Sequence, residues 1–505
     1  MPERPDMAVA KSLLAAFLVL AQGWATTGPA EAGPVIEGYL PSYRGLDTTL
    51  AATGVAPYTD VVLSFINPDA QGRFVNGGNL ACMTDRMLVP IPGQTLAHSV
   101  DIVHAGHARA IGALAGAIHP ACAGDWANMI AAPQRAATVA ALVNLAETDK
   151  LDGLDVDIEA DLLARLVKNG DYTPFVTALS RALHAHHKTL YGTTASYVGG
   201  MIPLAAIPAF DRVELMTYDD IVRGDEEASN PQYRSDLYLW LGRGVPKDRL
   251  ILGLPFYGRG YGSYTANYSY RDLVAQFGPQ TRDVIGQVCA TCDYVTFNSP
   301  ATIAGKTALA AAKAGGVIVW EMSEDTADRA LLHAVEAGLK MPAPALPAAA
   351  SAPPTGRPLN TPDARTWTIF GSRSYALVPE GSGNVFEVTL TKPTENSWDV
   401  GVTVPVTGAI KAGDRITFAV RARLKAGDPG TQLDIPATLE GANAPYGEAL
   451  TGTMVVTTQW QWVRISGVIA ANHAAGTLNA ALQVGNAAKV IDLGPAVIVD
   501  EGPAG

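Results

Sequence analysis

The sequence predicts a (β/α)8 TIM barrel followed by a Pro/Ala-rich linker and an all-β jelly-roll or sandwich domain. Three observations carry this. Eight short β-rich apolar runs alternate with longer helical stretches across residues 33–340, which implies parallel βαβ units and, at that number, a closed barrel. Residues 341–362 then turn to Pro and Ala, a composition that supports neither a helix nor a packed core and reads as a semi-extended linker. From residue 363 to 505 the helical period is gone, and short strands recur between Gly, Asn and Pro, as in antiparallel sandwiches.

Taken in order, the chain opens with Arg4 and Lys11, the apolar run Leu13 to Ala21 and small residues around Ala25 to Ala32. That is the layout of a secretory signal peptide over residues 1–32, cut near Gly23 or near Ala32. The apolar run is shorter than the roughly 20 residues a membrane-spanning helix needs, so export without a retained membrane anchor is expected. The strands are expected at Val35 to Leu40, Val61 to Ile66, Ala110 to Gly116, Gly153 to Glu159, Thr189 to Ser196, Arg212 to Tyr218, Leu250 to Phe256 and Gly316 to Glu321. Helical patterns such as Pro133 to Thr148 and Pro174 to His187 lie between them, and Thr326 to Leu339 follows the last. The rival, a doubly wound open sheet, usually has a Gly-rich phosphate turn after its first strand. None stands there.

The fourth run carries the chemistry. From Leu154 to Glu159 apolar and acidic residues alternate strictly, so Asp155, Asp157 and Glu159 share one face of a strand. Steps of about 6.6 Å bring the three carboxyl groups within mutual influence. Full ionisation at neutral pH is then costly, and at least one group keeps a proton and serves as an acid; Glu159, at the strand's end, is the candidate. A solvated acidic face on an antiparallel strand is the plain alternative. A metal loop of the EF-hand kind needs polar spacers and a sixth-position Gly, whereas these spacers are Leu, Val and Ile, and no metal or cofactor is expected. Barrel enzymes gather functional groups at the C-terminal ends of strands. Tyr39, Phe65, Tyr218, Asp219, Tyr257, Arg259 and Trp320 occupy such positions.

A formal charge of -12 argues against nucleic acid as a partner, since that requires clustered Lys and Arg. In an exported protein four cysteines favour disulfides. Cys82 and Cys122 follow two successive strands and can be bridged, and Cys289 and Cys292 form a C-x-x-C better suited to a local disulfide than to zinc, for which a second pair is missing.

Asp152 to Glu159 has the D-G-x-D-x-D-x-E form of family 18 glycoside hydrolases, the chitinase family, which the chain resembles over residues 33–340. Met216-Thr217-Tyr218-Asp219 is similar to the family's M-x-Y-D after strand six, Gly315 to Trp320 to the strand-eight segment ending in a tryptophan floor, and Pro255-Phe256-Tyr257-Gly258-Arg259 to the end of strand seven. The resemblance implies a secreted, monomeric hydrolase of chitin or related N-acetylglucosamine polymers working by substrate assistance, an exception to the two-carboxylate scheme. It implies Glu159 as acid and base, Asp157 on the acetamido N–H, Asp155 behind Asp157, Tyr218 on the acetamido oxygen and Asp219 on the sugar. Trp320 would lie under the distorted ring with Met216 nearby, and Tyr39 and Arg259 would be further sugar contacts.

The chain also departs from that pattern. Many chitinases carry S-x-G-G near the end of strand three, and here the residues are Ala113-Leu114-Ala115-Gly116, so a polar contact behind the acids is expected to be missing. About sixty residues separate strands seven and eight, short for the insertion that walls a deep groove, which implies an open groove and non-processive cutting. The C-terminal segment resembles jelly-roll carbohydrate-binding modules, with Trp398, Tyr446 and Trp460 as candidate sugar platforms. An endo-β-N-acetylglucosaminidase, a peptidoglycan hydrolase and a non-cutting chitinase-like lectin are the alternatives.

Overall fold

Eight strands, β1 (Val35–Pro41), β2 (Asp60–Ile66), β3 (Arg109–Ala115), β4 (Gly153–Asp157), β5 (Thr189–Ala195), β6 (Arg212–Met216), β7 (Leu250–Pro255) and β8 (Gly316–Trp320), pair in parallel in chain order, and β8 closes on β1. This is a computed structural model describing residues 33–76, 79–82, 96–117, 120–197, 199–219, 224, 226–289, 291–342, 352–371, 373–380, 383–427 and 431–503. The expected leader, 1–32, and residues 343–351 of the expected linker lie outside that set. The strand positions agree with the sequence expectation at all eight runs.

Strand alternation divides the barrel into two cores. Leu154 and Val156 of β4 face outward into the layer between strands and helices. The interior is filled by Tyr39, Val62, Ile111, Ala113, Tyr191, Ile251 and Ile318, with Asp155 and Asp157 pointing inward among them. The helix Tyr172–Ala185 shows how the outer layer seals: Tyr172, Phe175, Val176, Leu179 and Leu183 recur at three- and four-residue spacing and are buried. Below the site, the barrel floor is an ionic cluster. Arg212 contacts Glu37 and lies 3.0 Å from Asp60, and the Tyr191 hydroxyl donates to Asp60 at 2.8 Å.

Between β7 and β8 the chain builds a four-stranded antiparallel sheet from Tyr257–Tyr261, Asn267–Ser269, Val284–Gly286 and Tyr294–Phe297, with the helix Tyr270–Phe277 among them. The sequence pattern does not announce it. Strands of three to five residues carrying Gly and Tyr leave too short an alternation to recognise.

The C-terminal part is the expected sandwich. One sheet orders Ser374–Glu380, Gly383–Leu390, Lys489–Pro503, Asp414–Leu424 and Gln461–Val468, and the other Thr368–Phe370, Gly401–Pro405, Leu478–Gln483, Gln432–Gly441 and Glu448–Thr457. The expected boundary at residue 363 falls too late. Arg357–Pro358 already pairs with Lys489–Pro503, and Leu359 is buried in the sandwich core. Nor does the sandwich stand apart from the barrel, since Pro34–Gly505 form one compact unit. The buried Arg243 guanidinium donates to the Ile202 and Glu395 carbonyls and stacks on Trp240, while Glu395 accepts the Leu204 N–H at 3.2 Å.

Both disulfides form as expected, Cys82 with Cys122 and Cys289 with Cys292. The first joins the loop after β2 to the loop after β3 across a sequence separation of 40. Closing a loop of that length constrains the unfolded chain by about 4 kcal/mol in the chain-entropy account. Replacing both residues by Ser should lower the urea midpoint of the barrel accordingly; an unchanged midpoint would count against a structural role for this bridge.

Candidate active site

β4 ends at Asp157, and the helix Ala160–Lys168 starts at once, with Leu162, Leu163 and Leu166 buried. Glu159 is left at the barrel mouth between them. Ala160 takes a positive φ of 49°, and Ala115, at the end of the adjoining β3, one of 73°; both are strained for a residue with a Cβ, and they sit where strain gathers in active sites.

Asp155 is fully buried and well supplied with donors. Thr193 N–H donates to Oδ1 at 3.1 Å, Thr193 Oγ1 donates to Oδ2 at 2.9 Å, and the Tyr39 hydroxyl also reaches Oδ2. Asp157 is 2% exposed; its Oδ2 meets the Tyr39 hydroxyl at 3.3 Å, and its Oδ1 has no donor. Burial pushes the Asp155 carboxyl up to about 6 against the pull of Tyr39 and Thr193. Burial first, then the charges of Glu159 and Asp155, pushes Asp157 well above the carboxylate range. Glu159 rises to about 7, mainly by burial and further by Asp219 and Asp155, with the Asp157 contact opposing. The reading of the sequence placed the retained proton on Glu159. The surroundings raise Asp157 as well, because it lies deeper and between two other acids.

The remaining mouth residues assemble around this cluster. Tyr218 is buried edge-on to Tyr257, ring centroids 5.9 Å apart. It fits because Gly253 on β7 has no side chain; a Cβ there would come within 2.5 Å of the Tyr218 ring. Asp219 Oδ1 accepts from the Tyr257 hydroxyl at 2.8 Å and from Arg259 Nε at 3.1 Å, and its N–H donates to the buried Glu227 at 2.9 Å. Trp320 closes the opposite side, 5.3 Å from the Tyr39 ring and 6.1 Å from Phe65, and Met216 packs in the cluster of Tyr218 and Tyr257. A cleft of about 380 Å³ is lined by Phe65, Asp157, Glu159, Tyr218, Asp219 and Trp320 among others. Among the described residues no cluster of His, Cys, Asp and Glu has the form of a metal site.

The model of glycosyl hydrolases family 18 matches residues 36–325. The chain belongs to that family. It is similar to Chitinase 63 of Streptomyces plicatus, 27% identical over 238 residues, which is 38% of this chain and 39% of that one. It is also similar to Chitinase C of Streptomyces lividans, 26% identical over 226 residues, 36% of each. The chain thus matches less than half the length of these curated relatives. The crystal structure of the GH18 chitinase ChiB from the chitin utilization locus of Flavobacterium johnsoniae aligns with a TM-score of 0.50 at 23% identity, covering 61% of this chain and 94% of that one. That likeness bears on the fold.

Within this family 18 barrel Tyr257, a sugar-contact candidate, also holds Asp219 through its hydroxyl, and one expectation changes. The polar contact expected to be missing behind the acids is present: Ala113 pairs with Asp155 across β3 and β4 without a hydroxyl, and Thr193 supplies one from β5. Thr193, Glu214 and Glu227 are further polar residues of the site. Glu214, Met216 and Tyr218 recur at every second position, the same signal that exposes Asp155, Asp157 and Glu159, so the sequence does carry a mark of Glu214. Glu227 lies in a loop and gave no signal.

The sandwich candidates lie on three different segments. Trp398 is 47% and Tyr446 59% exposed, one in the turn Ser397–Asp399 and the other in the loop after Gln432–Gly441. Trp460 precedes a strand of the other sheet; Arg421 and Arg423 stand over its ring at 4.5 and 4.6 Å, and its Nε1 donates to Glu380.

Proposed function

We propose that this chain hydrolyses β-1,4-linked N-acetylglucosamine polymers, chitin or chitooligosaccharides, with retention of configuration and with the substrate's own acetamido group as nucleophile. The observation that carries the reading is the pair Asp157 and Glu159: two carboxyls, both raised by burial and by neighbouring acids, that line a cleft walled by Tyr218 and Trp320. In the first step Glu159 gives its proton to the glycosidic oxygen. The acetamido carbonyl oxygen then attacks the anomeric carbon as the C–O bond to the leaving sugar breaks, forming an oxazolinium ion. Asp157 accepts the acetamido N–H on its unprotonated oxygen, and the charge that Asp155 and the newly ionised Glu159 place beside it stabilises the positive charge that develops there. Glu159, now ionised, takes a proton from water, the hydroxide adds to the anomeric carbon, and the ring opens to restore the acetamide. Tyr218 holds the acetamido oxygen in line, Asp219 binds the sugar with Arg259 fixing its carboxylate, and Trp320 carries the ring. The chitinase names of the Streptomyces relatives support chitin as the substrate, and two disulfides suit an oxidising place of action outside the cytoplasm.

Product analysis by mass spectrometry on chitin, chitosan, peptidoglycan and N-glycans in parallel tests the reading. Products bearing an N-acetylated reducing end, from chitin foremost, are expected. Efficient cutting of fully deacetylated chitosan would refute it, since no carbonyl is then in place to attack.

The pH dependence follows from Glu159. It must be protonated to act as an acid and loses its proton at about 7, so kcat/KM should fall tenfold per pH unit above that point. A profile flat to pH 9 would remove Glu159 from the acid's role.

A further inference from the structure

Thr193 on β5 is buried and brings a single hydroxyl between two carboxyl groups. Its Oγ1 is 2.9 Å from Asp155 Oδ2 and 3.0 Å from Glu214 Oε2, and the Tyr39 hydroxyl lies 3.0 Å away. One hydroxyl has one proton to give. With both carboxyls ionised, one of these close oxygen pairs has no proton in it, and a buried acceptor faces a lone pair. Glu214 is 0% exposed, and its other oxygen, Oε1, has no donor; neither has Oε2 of Glu37.

The groups around Glu214 make ionisation costly. Glu37 and Tyr39 approach from β1, Asp155 from β4, Thr193 from β5, and Tyr218 from the end of β6. Arg212, two residues earlier on the same face of β6, is already engaged by Glu37 and Asp60. Burial, then the charges of Glu37 and Asp155, push the Glu214 carboxyl well above its ordinary range. Two arrangements put a proton in every close contact through Thr193 to the two carboxyls, one with it on Glu214 Oε2 and one with it on Asp155 Oδ2; Asp155 already accepts from the Tyr39 hydroxyl and the Thr193 N–H, which stabilise its charged form and favour the proton on Glu214.

We propose that Glu214 and Thr193 form a donor relay behind the reaction centre, in which the protonated Glu214 carboxyl donates to Thr193 Oγ1 and Thr193 donates to Asp155 Oδ2. Both are positioning residues. The relay holds Asp155 as the carboxylate, so the proton of the Asp155–Asp157 pair stays on the Asp157 side and Glu159 keeps its own. It replaces from β5 and β6 the hydroxyl that β3 lacks at Ala113. The consequence for turnover rests on the roles proposed above for Asp155 and Asp157; the proton on Glu214 does not.

The test compares pH profiles of kcat and KM on an N-acetylated oligomer for the wild type, Thr193→Val, Thr193→Ser, Glu214→Leu and Glu214→Gln. Thr193→Val removes a donor to the charged form of Asp155, so that carboxyl holds its proton to higher pH. The acid limb of kcat should move up by about one pH unit, with kcat at pH 5 down ~10-fold and KM changed less than ~2-fold. Thr193→Ser keeps the hydroxyl and should restore the limb. Glu214→Leu should shift it in the same direction, and Glu214→Gln, whose amide N–H donates to Thr193, should recover most of that loss.

A Thr193→Val profile that superimposes on the wild type, or Glu214→Gln as impaired as Glu214→Leu, overturns the relay. If Thr193→Val does not fold, the Glu214 pair decides with Thr193 intact. Infrared difference spectroscopy at neutral pH adds a readout independent of turnover. The carbonyl stretch of a protonated carboxylic acid should be lost in Glu214→Gln, and no loss means that Glu214 is ionised and the relay wrong. A wild type that cuts no N-acetylated oligomer defeats the proposed activity, while the infrared result still decides the proton.

Discussion

Glu159→Gln should lower kcat on chitooligosaccharides by about 10³- to 10⁴-fold, with KM changed only a few-fold. The amide keeps the size and the hydrogen bonding of the carboxyl but supplies no proton to the leaving oxygen and accepts none from water, so both half-reactions lose their transfer step. Release of reducing ends by matched wild-type and variant preparations measures it. Equal rates would favour the lectin reading, with the observed hydrolysis due to a contaminant. The same substitution has a second, opposite consequence for stability. The Glu159 carboxyl is raised from 4.5 to about 7 in the fold, so its contribution is fully present below about pH 4.5 and is lost as pH rises through about 7. Glu159→Gln removes that loss. Its unfolding midpoint should match the wild type at pH 4 and exceed it at pH 8, and the reverse order would contradict the raised carboxyl.

Asp157→Ala should lower kcat by about 10²- to 10³-fold, the range for removing one group that stabilises charge in a transition state. Asp157 is 2% exposed, so solvent does not take over its task when it is removed. The effect should depend on the substrate in a way the Glu159 effect does not. With an activated leaving group that departs without protonation, Glu159→Gln should recover much of its first-step rate, whereas Asp157→Ala should stay slow because the oxazolinium charge still forms. Pre-steady-state release of such a leaving group separates the two steps. Recovery of both variants to the same degree would mean that Asp157 acts only through Glu159 and does not itself stabilise the intermediate.

The physical basis of the fold's legibility is the period of its strands. Leu154 to Glu159, and equally Glu214, Met216 and Tyr218, announce an inward polar face through strict alternation, and apolar runs at Val35, Val61, Ala110 and Leu250 announce strands covered on both sides. The jelly-roll half was legible in kind for the same reason, though its start was not: Arg357 and Pro358 read as linker because proline and small residues dominate around them, and only pairing with Lys489–Pro503 makes them strand. The small sheet between β7 and β8 escaped because its strands are too short for a period to show. Trp460 illustrates the limit for binding sites. Its residue type invites a sugar, and only the strand register shows that Arg421 and Arg423 stand over the ring as well.

By itself, the order of residues determined a parallel barrel of eight strands with three acids on the fourth, a β-rich second part and two cysteine pairs, because each of these is written in local spacing or composition. Tertiary structure alone decided that Asp157 is buried between two other acids, that Thr193 stands where Ala113 leaves no hydroxyl, and that Tyr257 and Arg259 are turned toward Asp219. Those outcomes depend on burial and on contacts between strands far apart in the chain, and a carboxyl's charge is set by everything packed around it rather than by its neighbours in sequence.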